Sequence, residues 1–153
     1  VDAITSPERL GNVVAFYDTI GEWSTLSTIE HLAEIGKQVT VFSPIGAFSW
    51  RTTIYSTYAN STRLRDHGVT IGLMRKVLGM TNAGLVIEDT STGHTETLAG
   101  FDSVVGVQYN APDDALYGPL RTAGILVTTV GDALAPRTAL EAIFEGHERA
   151  MLT

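Results

Sequence analysis

The 153 residues contain no cysteine, which excludes a disulfide framework, a thiolate-held zinc or iron–sulfur centre and a cysteine nucleophile within this stretch. The same absence is what a reducing, cytoplasmic setting would give. Cations are scarce: ten Lys and Arg stand against seventeen Asp and Glu, a formal charge of -7. A surface for a phosphate backbone needs a basic stripe, which this composition does not supply, so nucleic acid is not an expected partner. Long apolar runs are missing as well. None approaches the roughly 20 residues of a spanning helix, and membrane insertion is not expected. No initiator Met stands before Val1, so the expectation is a chain processed or cut from something longer. What is present is core material. Hydrophobic residues make up 44% and charged residues 18%, enough for one ordinary domain and too apolar for long-range disorder.

Hydrophobic patterning divides the chain further. Residues 1–12 are polar, carry Pro7 and read as a linker. Val13-Val14-Ala15-Phe16-Tyr17-Asp18 is a continuous apolar run ending in an acid, the pattern of a strand buried on both faces of a parallel sheet. Residues 22–35 place Trp23, Leu26, Ile29, Leu32 and Ala33 at helical spacing, with Gly36 as the C-cap. A second buried strand, 38–43, stops at Pro44, completing a right-handed βαβ unit. A more polar helix over 54–66, with Ile54, Tyr58 and Leu64 inward, leads to a third short strand at 69–72. The period then changes. Residues 75–81, 85–89 and 94–98, separated by Asn82-Ala83-Gly84 and Ser91-Thr92-Gly93, read as an antiparallel meander. Residues 101–107 return to a parallel strand, a loop with one helical turn spans 110–124, and 125–130 is a last apolar strand. Pro136, read as an N1 proline, opens a helix to Met151 that presents Leu140, Ile143, Phe144, His147, Ala150 and Met151 on one side. The predicted fold is three-layer α/β, a Rossmann-like parallel sheet with a small antiparallel β-meander insertion.

Ligands of such folds sit beyond the carboxyl ends of the strands, so three turns are candidates. The first, Asp18-Thr19-Ile20-Gly21-Glu22-Trp23-Ser24-Thr25, has one glycine where a dinucleotide fingerprint has three. Its two acids oppose a diphosphate at the helix N-terminus, and the second strand ends in Ser43-Pro44 without an acid for a ribose hydroxyl. The nearest cation for a 2′-phosphate is Arg51. The bland reading, a helix capped by Asp18 or Thr19 with Trp23 packed beside it, outweighs NAD(P). The hydroxyls of Thr19, Ser24 and Thr25 also suit a single phosphate of an FMN or mononucleotide, though ordinary capping uses the same residues. The second turn, 108–114, reads as a surface loop. The third runs Val130-Gly131-Asp132-Ala133-Leu134-Ala135-Pro136-Arg137: glycine permits close approach to the backbone, and Asp132 suits a ribityl or ribose hydroxyl.

This last string, followed by Glu141-Ala142-Ile143-Phe144-Glu145-Gly146-His147, resembles the C-terminal signature of the flavin oxidoreductases that include trimethylamine dehydrogenase, histamine dehydrogenase and 2,4-dienoyl-CoA reductase. Ser6-Pro7-Glu8, Tyr17-Asp18 and Gly36-Lys37-Gln38-Val39-Thr40 agree with it, so the resemblance covers nearly the whole chain. It implies a parent with an N-terminal barrel holding FMN and a 4Fe-4S cluster, followed by an FAD- or ADP-binding domain into which an NAD(P)-binding-type domain is inserted. Residues 13–124 would be the inserted domain, and 125–153 the return strand and C-terminal helix of the flavin-type domain. On that resemblance Gly131, Asp132, Ala133, Pro136 and Arg137 fall on the FAD or ADP side. Asp18, Gly21, Ser24 and Thr25 form a degenerate NAD(P) turn lacking the reductases' glycines, and no catalytic residue lies in this stretch. The barrel, its FMN and its cluster would lie upstream, which also accounts for the missing cysteines. Partners would be the other domains of the parent and an electron-transfer flavoprotein.

Three readings follow: a non-catalytic piece of such an oxidoreductase, a stand-alone FMN or mononucleotide module using residues 19–25, and a docking domain whose nucleotide site has decayed. The four histidines, His31, His67, His94 and His147, lack metal-ligand spacing. No serine sits in a GxSxG elbow, and no acidic pair supports Asp18 as a phosphoacceptor. Glu141, Glu145 and Glu148 read as a solvated helix face.

Overall fold

The computed structural model describes residues 2–152. They fall into two compact units, one up to Gln108 and one from Tyr109 onward.

In the first unit the apolar runs become strands. β1 (Val13–Asp18), β2 (Gln38–Phe42), β3 (Thr70–Gly72) and a later strand, Ser103–Val107, form one parallel sheet. Three antiparallel strands, β4 (Arg75–Thr81), β5 (Gly84–Asp89) and β6 (Thr95–Leu98), intervene in sequence, so Ser103–Val107 is β7. The parallel order is β3-β2-β1-β7. β1 is central, pairing Val14 with Val39 on one side and with Ser103 on the other. Its alternate residues therefore enter two different cores. Val14 and Phe16 pack with Leu26, Ile29 and Leu32 of helix α2 (Trp23–Glu34) and Leu64 of helix α3 (Ile54–Asp66). Ala15 faces the other way, with Phe42, Leu85 and Ile87. Helices, parallel sheet and meander make the three layers, and the fold is a Rossmann-like α/β sheet with an antiparallel insertion.

The connections follow from backbone requirements. Gly36 and Gly68, at φ +87 and +76, end α2 and α3 in the left-handed conformation that glycine adopts without strain. Lys37 N then donates to Leu32 O and Val69 N to Leu64 O, closing each helix and starting the next strand. Residues 1–12, read as linker, contain a short helix, α1 (Asp2–Thr5), and a 3-10 turn at Pro7–Arg9, with Ala3 and Leu10 packed against the helical-side core.

Three inward assignments are corrected. Trp23 is 53% exposed, and Ile54 and Tyr58 are exposed on α3, whose inward positions are Asn60 and Leu64. Trp23 and Ile54 are the first residues of their helices, and Tyr58 lies on the face of α3 away from Asn60 and Leu64.

The second unit is built differently. It contains α4 (Tyr117–Thr122), a 3-10 turn at Gly131–Ala133 and α5 (Ala139–Met151). The apolar run 125–130, expected as a strand, joins no ladder among the described residues, and Leu126 is 95% exposed. The sequence supplies a strand's side chains there, but a strand also needs a neighbouring backbone. Pro136 does not open α5. The helix begins three residues later with a capping box: Thr138 accepts from Leu140 N, and the Glu141 carboxylate accepts from Thr138 N at 3.0 Å. Among the described residues no hydrophobic side chain beyond Ile87 is part of the buried core.

Candidate functional site

The first turn closes on itself. Asp18, at the carboxyl end of β1, is buried, and its Oδ1 accepts from Ile20 N at 2.9 Å and Gly21 N at 2.8 Å. It therefore ties the turn rather than capping α2, whose N-cap position is Glu22, without a side-chain cap bond. Thr19 does not cap the helix either: its hydroxyl donates to Val107 O at 2.6 Å and joins the turn to β7. Gly21 sits at φ +70, and a methyl placed on it would meet the Trp50 ring at 2.5 Å. Ser24 is exposed in the first turn of α2, while Thr25 is buried. Asp18 Oδ2 and Thr25 Oγ1 are buried without a hydrogen-bond partner among the described residues. Each such atom costs about 1–3 kcal/mol. Burial raises the pKa of the neighbouring Tyr17 phenol above its usual value, leaving Tyr17 neutral.

The loop after β2 lies over this turn. Arg51 N donates to Gly21 O at 3.1 Å, and the Arg51 guanidinium pairs with Glu22 at 2.8 Å. Arg51, the cation weighed for a 2′-phosphate, is thus engaged by the turn itself. Sequence reasoning missed Trp50. A bulky residue in a loop carries no periodicity, and its contact with Gly21 is tertiary.

The third turn, in the second unit, is held by a side chain also read differently. Gly131, at φ +57, donates its N–H to Glu145 Oε2 at 2.7 Å, and a methyl on it would meet Ala142 Cβ at 3.0 Å. Its closest approach is therefore to α5. Glu145, expected on a solvated face, also pairs with Arg137, whose Nε donates to Ala135 O at 3.2 Å. Glu141 likewise serves the capping box, and its hydrogen bond from Thr138 holds its carboxyl below the usual pKa. Ala133 ends the 3-10 turn, and Pro136 is half-buried beyond it. Asp132 is exposed, with its carbonyl accepting from Asp113 N and its carboxylate unpaired. Gly131 and Arg137 meet on Glu145, and the exposed Asp132 beside them has no side-chain hydrogen bond or ion pair among the described residues.

Tertiary structure also brings His67 to Glu30 and Glu34, with ligand atoms within 4.8 Å of one another. Arg63 of α3 already takes both oxygens of Glu30 on α2, at 2.7 and 3.1 Å, so Glu30 is engaged in an ion pair between the two helices. Among the described residues no helix is long and apolar enough to cross a membrane.

No family model matches the sequence, and no curated protein matches it. Solved structures do. Histamine dehydrogenase from Rhizobium sp. 4-9 is 28% identical over 92% of this chain, with a TM-score of 0.76. A 2-naphthoyl-CoA reductase is 25% identical over 96%, at 0.75. The 6-hydroxypseudooxynicotine amine oxidase HisD from Pseudomonas geniculata N1 is 21% identical over 95%, at 0.80, a likeness of fold. The chain spans 22–23% of the length of each.

Proposed function

We propose that this chain is a C-terminal piece of a larger flavin-dependent oxidoreductase of the trimethylamine dehydrogenase type. It supplies a Rossmann-like domain without catalytic residues of its own, followed by the segment that returns to a flavin- or ADP-binding neighbour. The observation that carries this reading is the second unit's want of a core. Neither α4 nor α5 buries a residue, and the apolar run 125–130 has no ladder partner. A segment with a strand's composition and an amphipathic helix is suited to complete a sheet belonging to another part of a protein. The similarity to two oxidoreductases, over almost all of this chain and under a quarter of theirs, supports the same reading. The division at residue 125, with 13–124 as the inserted domain, belongs to this proposal.

The third turn fits the adenine-nucleotide side of such a neighbour in part. The free Asp132 carboxylate can accept a hydrogen bond from a ribityl or ribose hydroxyl, which is the role proposed for it. The Gly131 N–H is spoken for by Glu145, so Gly131 serves the turn's shape, and Ala133, Pro136 and Arg137 hold that shape. The residues of the first turn do not fit NAD(P) or a single phosphate: Asp18 takes the turn amides, Thr19 is bonded to β7 and Trp50 covers Gly21. FMN and a 4Fe-4S cluster are assigned to a part of the parent upstream, and other parent domains and an electron-transfer flavoprotein are the proposed partners.

The test uses the full gene product. It should release flavin on denaturation, and Asp132→Ala should lower its bound FAD or ADP about tenfold while leaving FMN content unchanged. A full-length protein without flavin would overturn the reading.

A further inference from the structure

We propose that the segment 44–53 is a strap that holds Trp50 as a built-in steric stop, so that Trp50 decides whether an anionic nucleotide can reach the Gly21 backbone. The strap is fixed at both ends. On the meander side Thr90 Oγ1 donates to Pro44 O at 2.9 Å and Met74 N to Ile45 O at 3.0 Å. On the helix side Arg51 is bonded to Gly21 O and paired with Glu22. Between them Ser49 is fully buried at φ +55, a conformation that strains any residue but glycine. Its hydroxyl shares a 2.7 Å bond with Thr52 Oγ1, and Thr52 N donates to Ser49 O at 3.0 Å. This strained corner presents the indole to Gly21.

The geometry leaves no room for a ligand. Even one methyl on Gly21 would lie 2.5 Å from the Trp50 ring, so a phosphate oxygen approaching from that side meets the indole first. The same turn and the start of α2 hold two buried polar atoms without partners among the described residues, Asp18 Oδ2 and Thr25 Oγ1. The strap keeps Ser49 in strained backbone while the indole is held against Gly21, and this geometry makes closure of the turn its role. The inference concerns the first turn and its strap and stands or falls independently of the flavin reading.

The charge of Asp18 also opposes phosphate, so the two effects must be separated. Asp18→Asn keeps an acceptor for the turn amides and removes the charge. In a Trp23→Phe background, where Trp50 is the sole tryptophan, D18N and D18N/W50G chains are titrated with ADP and NADPH by calorimetry, with cooperative unfolding as the check of fold. D18N/W50G should bind ADP about tenfold or more tightly than D18N. Equal binding, or none by either chain, overturns the proposal. If W50G prevents folding, acrylamide quenching of the W23F chain decides. Trp50 should be quenched several-fold more slowly than free tryptophan amide, with or without ADP, and quenching at the free rate would show the strap open.

Discussion

Gly21 carries two separable constraints, and a double-mutant cycle can resolve them. Its φ of +70 strains any residue with a Cβ, and that Cβ would strike the Trp50 ring. Gly21→Ala should therefore cost about 1 kcal/mol for the backbone and about 1–3 kcal/mol for overpacking. Urea unfolding should show a total near 2–4 kcal/mol in the native background. With Trp50 already replaced by Gly, only the backbone part should remain. Equal costs in both backgrounds would mean the ring moves aside freely. At this scale the sequence is legible only where chemistry is local. Gly36 and Gly68 are readable as helix ends, whereas Asp18, expected to cap α2, instead ties the turn amides two and three residues on. Trp50 and Glu145 are not legible, because each acts on a glycine distant in the chain, and nothing in their neighbours' spacing says so.

Elements follow the hydrophobic pattern wherever a partner element exists. The runs of β1 and β2 and the turn signals of the meander were readable because alternation and turn chemistry are properties of a few adjacent residues. The run 125–130 has the same character and forms no ladder, since pattern reports what side chains need and not whether a backbone neighbour is present. The start of α5 was legible in principle: Thr138 and Glu141 spell a capping box, which outranks a proline two residues earlier. The meander's tip is anchored by Asp89, which accepts from Ser91 N and Thr92 N and pairs with Arg75 across β4 and β5. Hydrogen bonds from Ser91, then from Arg75, hold its carboxyl well below the usual carboxylate range. The folded-state pKa is depressed, so this stabilisation is complete above the unfolded pKa of about 4 and is lost as pH falls toward the folded value. Asp89→Asn should thus lower the unfolding midpoint by a constant amount from pH 7 down to about pH 4. Below that the gap between the two proteins should close. A gap that widened with acid would mean that Asp89 is not the ionised anchor of the hairpin.

For the molecule as a whole, the distribution of core matters more than its amount. The buried hydrophobic residues run from Val14 to Ile87, and both cores rest on the central strand β1. In the second unit Leu126, Leu140, Ile143, Phe144 and Met151 are all exposed. Covering side chains of this size is worth about 1.5–3 kcal/mol each, so the uncovered set compares with a small domain's entire net stability of about 5–15 kcal/mol. A surface of that worth is costly to leave in water unless another part of the protein covers it. Three expectations follow if the return segment belongs to a neighbouring domain. In this chain alone, Ile143→Glu with Phe144→Glu should shift unfolding of the first unit by less than about 0.5 kcal/mol, because both side chains are exposed and neither belongs to that core. The same pair of substitutions should suppress self-association of the chain in sedimentation. In the full gene product it should instead destabilise by several kcal/mol, since the apolar face would then be an interior one. The contrast between the two contexts is the decisive quantity: an equal and small effect in both would make α5 an ordinary surface helix, and the exposed apolar residues would need a different partner.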